Sequence, residues 1–123
     1  MKKEHYFKLQ PGSTVSPVVG FGDLIFVSGQ VSVDRLSGDV IGSDIASQVD
    51  GAMANLSAFL EAAGSSIDKL LSMTVFIKNS EDFTKMNEAF SKWVSMNPPV
   101  RTTVRADMIF PEFLIEISAI ANK

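Results

Sequence analysis

Two helix-like stripes set between short, strand-length apolar runs limit most sharply what this chain can fold into. From Ser43 or Asp44, either of which can cap a helix, the residues Ile45, Val49, Ala52, Met53, Leu56, Phe59, Leu60 and Ala63 recur at helical spacing. Gly64 is a natural stop. A second stripe starts at Asn79 or Ser80 and runs to about Ser95, with Phe83, Met86, Phe90, Trp93 and Val94 as its expected buried side. Met96-Asn97-Pro98-Pro99 ends it, since neither proline can donate a backbone hydrogen bond.

Strands fill the intervals. Leu24 to Gln30 is a compact apolar run, expected to be buried on both faces and to continue with alternation through Val31–Asp34. Leu70 to Lys78 is a further strand. Val100, Thr102 and Val104 alternate with Arg101, Thr103 and Arg105, so this strand has one apolar face and one that carries a guanidinium and a hydroxyl two residues apart. The last strand spans Phe113 to Ile120 and sets one carboxylate, Glu116, inside an apolar run. Near the start, residues 4–9 read as a short strand, and Ser13 to Gly22, with Pro17, Gly20 and Gly22, as a loop. Strand–helix–strand crossovers of this kind predict an α+β domain, one mixed sheet with both helices on the same face. The uncovered side also carries Phe, Ile, Val and Met, so a partner subunit is expected to cover it.

With 123 residues, the chain is expected to form one domain over 1–123. The absence of cysteine excludes thiolate nucleophiles and cysteine-ligated metals, and a single histidine, His5, effectively rules out imidazole-based metal sites and Ser-His-Asp triads within one chain. A formal charge of −3 exerts no general pull on nucleic acid or an anionic membrane. Glu4, His5 and Tyr6 follow Met1-Lys2-Lys3 where a signal peptide would place an apolar core, and no run reaches membrane-span length; the cytoplasm is the expected compartment.

Arg101 and Glu116 most need explaining. The fork of Arg101 suits a ligand carboxylate, or it serves an ordinary surface ion pair. Glu116 is expected to be at least half buried, where desolvation raises a carboxyl pKa towards the range useful for proton handling, or to be a structural partner for Arg101, Arg105 or a neighbouring chain. Thr103 can add a hydroxyl contact or merely fill a strand position. Ser28-Gly29-Gln30 lets a ligand approach the backbone, or forms a simple bulge. Asn87 can bind neighbouring backbone.

In order and spacing, these stretches resemble one family, the reactive-intermediate imine deaminases, also called the YjgF or L-PSP endoribonuclease family. The landmarks are Gly22-Asp23-Leu24-Ile25-Phe26-Val27-Ser28-Gly29-Gln30, Gly38-Asp39-Val40, Asn55-Leu56, Leu60-Glu61-Ala62-Ala63-Gly64 and Thr74-Val75-Phe76-Ile77. Asp82-Phe83, Asn87-Glu88, Pro98-Pro99-Val100-Arg101-Thr102-Thr103-Val104 and Ile115-Glu116-Ile117-Ser118-Ala119-Ile120-Ala121 complete the series. The resemblance implies a chorismate-mutase-like fold, a homotrimer with clefts between subunits, and no metal or organic cofactor. It also implies hydrolysis of 2-enamine and 2-imine acids, such as 2-aminoacrylate and 2-iminopropanoate, to 2-keto acids and ammonia. Arg101 matches the residue that grips the substrate carboxylate, and Glu116 the one that positions water. Gly29 and Thr103 match ligand-contact positions, and Ser28 and Asn87 are expected beside them. One departure is at the N-terminus, where Ser13-Thr14-Val15-Ser16-Pro17 replaces a motif bearing an aromatic hydroxyl; the matching residue is Val15. Two alternatives follow: a non-catalytic module that senses small 2-keto or imino acids, and the endoribonuclease or translation-inhibitor role attached to some relatives. The acidic charge and the lack of an aromatic-basic groove weigh against RNA.

Overall fold

A computed structural model describes residues 1–123. Its elements are β1 (Lys3–His5), β2 (Val18–Phe21), β3 (Leu24–Gln30), α1 (Ile45–Ala62), β4 (Leu70–Ile77), α2 (Phe83–Val94), β5 (Val100–Arg105) and β6 (Ile115–Asn122). The strands form one mixed sheet in the order β1-β2-β3-β6-β4-β5, in which only β4 and β5 run parallel. Both helices lie on one face, the α+β layout expected from the strand–helix alternation.

α1 follows the sequence closely. Asp44 is the N-cap, in extended conformation, and its carboxylate accepts from the Ser47 backbone N–H at 2.8 Å. That bond holds the Asp44 carboxyl below its ordinary pKa. At the other end Gly64 takes φ +83°, while Ser65 N–H donates to Leu60 O and Gly64 N–H to Glu61 O. These are the two bonds of a glycine-terminated helix end. Every apolar residue of the predicted stripe is buried.

α2 begins later than expected, because Ser80–Asp82 form a 3₁₀ turn first. Met86, Ala89 and Phe90 are buried and Trp93 and Val94 pack at the edge of the core, but Phe83 is half exposed. Trp93 Nε1 donates to Asp50 on α1 at 2.9 Å, which ties the two helices together.

Three expectations need correction. Residues 13–22 are not all loop: Val18–Phe21 pair with both β1 and β3, and β1 is shorter than expected. Gly20 is there because Tyr6 crosses it, so that a Cβ would lie 2.5 Å from the Tyr6 oxygen. Next, β3 is buried on one face only. Ile25 and Val27 enter the core, while Leu24 and Phe26 lie on the face without helices. Finally, β3 stops at Gln30, and Val33 makes a single bridge to Val40. Asn55 of α1 binds the Val31 and Val33 carbonyls at 3.0 and 2.8 Å, taking acceptors that a continuing strand would use.

The helix-free face carries exposed apolar side chains on either side of a central strip of hydroxyls, Ser72, Thr74 and Ser118. Leu24, Phe26, Val100 and Val104 are all exposed on it, Phe26 at 40% and Val104 at 41%. No helix of the chain is long and apolar enough to cross a membrane.

Candidate functional site

The register of β5 decides where Arg101 points. Parallel pairing sets Arg101 beside Met73, Thr103 beside Val75 and Arg105 beside Ile77. Met73, Val75 and Ile77 are core residues beneath the helices, so Arg101, Thr103 and Arg105 project to the helix face. The apolar side of the strand, Val100, Thr102 and Val104, therefore lies on the open face, level with Ser72, Thr74 and Phe76.

On the helix face Arg101 rests against α2. Its guanidinium carbon is 5.5 Å from the Phe90 ring centroid and 5.9 Å from that of Phe83, within cation–π range of both. The chain's two ion pairs are Lys92–Asp50 and Lys123–Glu4, so no carboxylate of the same chain occupies the fork. Beside it opens a cavity of about 300 Å³, bounded by Met73, Phe90, Val94, Pro98, Pro99 and Arg101. An unpaired guanidinium over aromatic faces, next to open volume, can receive a small carboxylate in two parallel hydrogen bonds. Asn87 lies between Phe83 and Phe90 on the same helix and is half buried. The Thr103 hydroxyl is buried and has no hydrogen-bond partner. A group in that state is destabilising until something accepts from it.

Glu116 sits elsewhere. Antiparallel pairing sets it beside Phe76, and its neighbours Ile115 and Ile117 are fully buried, so the half-buried Glu116 side chain projects to the open face. There it lies over Gly29, where a Cβ would fall 2.8 Å from Glu116 Cδ. The β3–β6 register shifts between Val27 and Gln30, so the Ser28-Gly29 segment is a bulge. Ser28 is committed within the chain: its backbone N–H and its hydroxyl both donate to Pro17 O, at 3.0 and 3.2 Å. Gln30 donates to Ser28 O at 3.1 Å. Val15 is exposed near this end, and the neighbouring Ser16 hydroxyl is 3.2 Å from His5 Nδ1.

The six candidate residues thus fall into two groups. Arg101, Thr103 and Asn87 belong to the helix face at the β5 edge; Ser28, Gly29 and Glu116 belong to the open face at the β3 bulge. Arg101 is level with Met73 and hence with Ala119, three residues from Glu116 and two strands away. Strand spacing and rise make that about 10 Å in each direction, with the sheet between the two side chains. One chain cannot close both groups on a three-carbon acid, and the intrachain Arg101–Glu116 pair considered from sequence does not form.

Sequence reasoning missed three contributors. Phe83 and Phe90 were assigned to the core, yet both bear on Arg101. Gln48, fully buried on α1, donates to Gly42 O at 3.1 Å and Glu112 O at 2.9 Å and accepts from Leu114 N–H at 2.7 Å, fixing the approach to β6 and so to Glu116. A lone glutamine on an apolar stripe was the only sign.

Comparisons agree with this architecture. Residues 8–123 match the family model described as Endoribonuclease L-PSP. The chain is 39% identical over 114 residues to a RutC family protein, SSO3206, of Saccharolobus solfataricus, covering 93% of this chain and 90% of the relative. It is 35% identical over 106 residues to the 2-iminobutanoate/2-iminopropanoate deaminase of Escherichia coli, covering 84% and 82%. The crystal structure of the E. coli YjgF gene product superposes with a TM-score of 0.83 at 30% identity, covering 93% of this chain and 91% of that one.

Proposed function

The chain belongs to the endoribonuclease L-PSP family, that of the YjgF and Rid proteins, and from that premise we propose that it deaminates reactive 2-imino and 2-enamine acids by hydrolysis. The observation that carries this reading is the free Arg101 guanidinium beside an open cavity, on the opposite face of the sheet from a half-buried carboxylate. The two groups meet on one small ligand only if a second copy of the chain supplies one of them. The exposed apolar face that ends at Glu116 gives that copy a surface to cover. A closed ring of three is the assembly proposed, with a cleft at each junction.

In such a cleft Arg101 holds the substrate carboxylate and thereby fixes C2. Glu116 of the partner subunit orients a water molecule towards C2 and accepts its proton as the C–O bond forms. The resulting carbinolamine takes that proton on nitrogen; its hydroxyl then returns a proton to Glu116 as the C=O bond forms and the C–N bond breaks, and ammonia and a 2-keto acid leave. An enamine enters this sequence after taking a proton from water at C3; the iminium carbon so formed is already electrophilic, so positioning and one proton relay suffice for the hydrolysis. The missing Cβ at Gly29 is what gives the Glu116 carboxylate its place over the bulge. No metal or organic cofactor takes part in this scheme.

The test is 2-keto acid release from 2-aminoacrylate produced in situ by a serine dehydratase. Wild-type protein should accelerate release over buffer, and Arg101→Ala should lower kcat/KM on the order of 100-fold, as expected for losing a charge-assisted bidentate contact. A second reading, binding of 2-keto acids without turnover, draws on Val15, whose side chain cannot donate a hydrogen bond. Calorimetric binding with no acceleration would select it.

A further inference from the structure

The geometry points to 2-imino acids with a branched or extended apolar side chain, rather than the three-carbon imines, as the substrates of this site. This rests on the deaminase reading above and extends it to what lies beyond the carboxylate. The cavity next to Arg101 is bounded by Met73, Phe90, Val94, Pro98 and Pro99. Arg101 is its only charged side chain, and the carboxylate of any 2-imino acid would occupy it. The remaining wall is a thioether, an aromatic ring, an isopropyl group and two pyrrolidine rings.

Three physical consequences follow. At about 300 Å³ the space is at the small end of ligand cavities, yet well above what a methyl group needs. An alanine-derived imine anchored on Arg101 would leave water against that wall. The space is open to solvent on one side, so each further methylene laid on that wall adds up to roughly 0.8 kcal/mol, a factor of about 4, and the extra carbons of a leucine- or methionine-derived side chain together about 10-fold or more. A second carboxylate, as in a glutamate-derived imine, would be desolvated against Phe90 with no second cation among the lining side chains. Buried Met73 and Phe90 form the floor, held by core packing, while half-buried Val94 at the end of α2 forms the side.

The experiment compares imines generated in situ by an L-amino acid oxidase from alanine, leucine, methionine and glutamate. The protein should hydrolyse the leucine- and methionine-derived imines with kcat/KM at least roughly 10-fold above the alanine-derived one, and the glutamate-derived one poorly. Val94→Phe, checked for an unchanged far-UV circular dichroism spectrum, should bring the leucine-to-alanine ratio down towards one. Hydrolysis with a flat or alanine-favouring profile overturns the substrate class and leaves the deaminase reading standing. If no imine is hydrolysed, the deaminase reading fails, and calorimetry then decides the cavity separately. Tighter binding of 4-methyl-2-oxopentanoate than of pyruvate, by roughly 10-fold, would support it, and equal or absent binding would overturn it.

Discussion

Glu116 is seated directly over Gly29. A Cβ there would fall 2.8 Å from Glu116 Cδ, 3.1 Å from its Cγ and closer still to its Oε2. The obstruction is the end of a side chain and not backbone, so a larger residue at 29 displaces the carboxylate instead of unfolding the bulge.

Gly29→Ala should therefore remain folded, with a melting temperature within a few degrees of wild type, and lose activity. Moving a proton-relay group by about 1 Å costs on the order of 100-fold in rate. Parallel thermal melts and kcat/KM measurements check it; an active, well-folded Gly29→Ala protein would remove Glu116 from the mechanism.

A charge on the open face should separate the subunits. Phe26 is 40% exposed beside the Val19 strand position and level with Ile120. In Phe26→Asp the assembly would have to bury a carboxylate, at a cost of several kcal/mol. Light scattering should then report a mass near the 13.3 kDa of one chain, with circular dichroism unchanged and deaminase activity lost.

Gln48 should matter for stability more than its polarity suggests. Gln48→Met removes its three hydrogen bonds and leaves the part-buried Leu114 N–H without its acceptor. Urea denaturation should show a loss of about 2–4 kcal/mol. The deficit should exceed that of a surface substitution such as Lys85→Gln, expected within about 0.5 kcal/mol of wild type.

The parts of this molecule that were legible in sequence are those specified locally. α1 was readable because its apolar residues, its Asp44 cap and its Gly64 stop agree with one another. The second helix was readable except at its start, where Asn79 and Ser80 resemble a cap but lead into a tighter turn. β2 was hidden because Pro17, Gly20 and Gly22 punctuate it; Gly20 answers to Tyr6, a contact between strands that no local pattern records. β3 looked doubly buried because Leu24 and Phe26 are apolar, although in one chain only the helix face is covered. The candidate site was half legible. Residue types and the resemblance pointed to Arg101, Thr103, Gly29 and Glu116, but alternation within β5 could not say which side faces the helices. Pairing with Met73, Val75 and Ile77 determines that, and with it the separation of Arg101 from Glu116.

That separation makes mixed assemblies the most direct test. Arg101→Ala and Glu116→Gln proteins should each keep no more than about 1% of wild-type activity alone. When they are co-refolded or co-expressed in equal amounts, a closed ring with one site at each junction regains about a quarter of wild-type activity, since that share of junctions pairs an intact arginine with an intact glutamate from the other copy. Recovery near that fraction is the predicted result. No recovery from verified mixed oligomers, or full activity in a monomer, would contradict a site built from two copies of the chain.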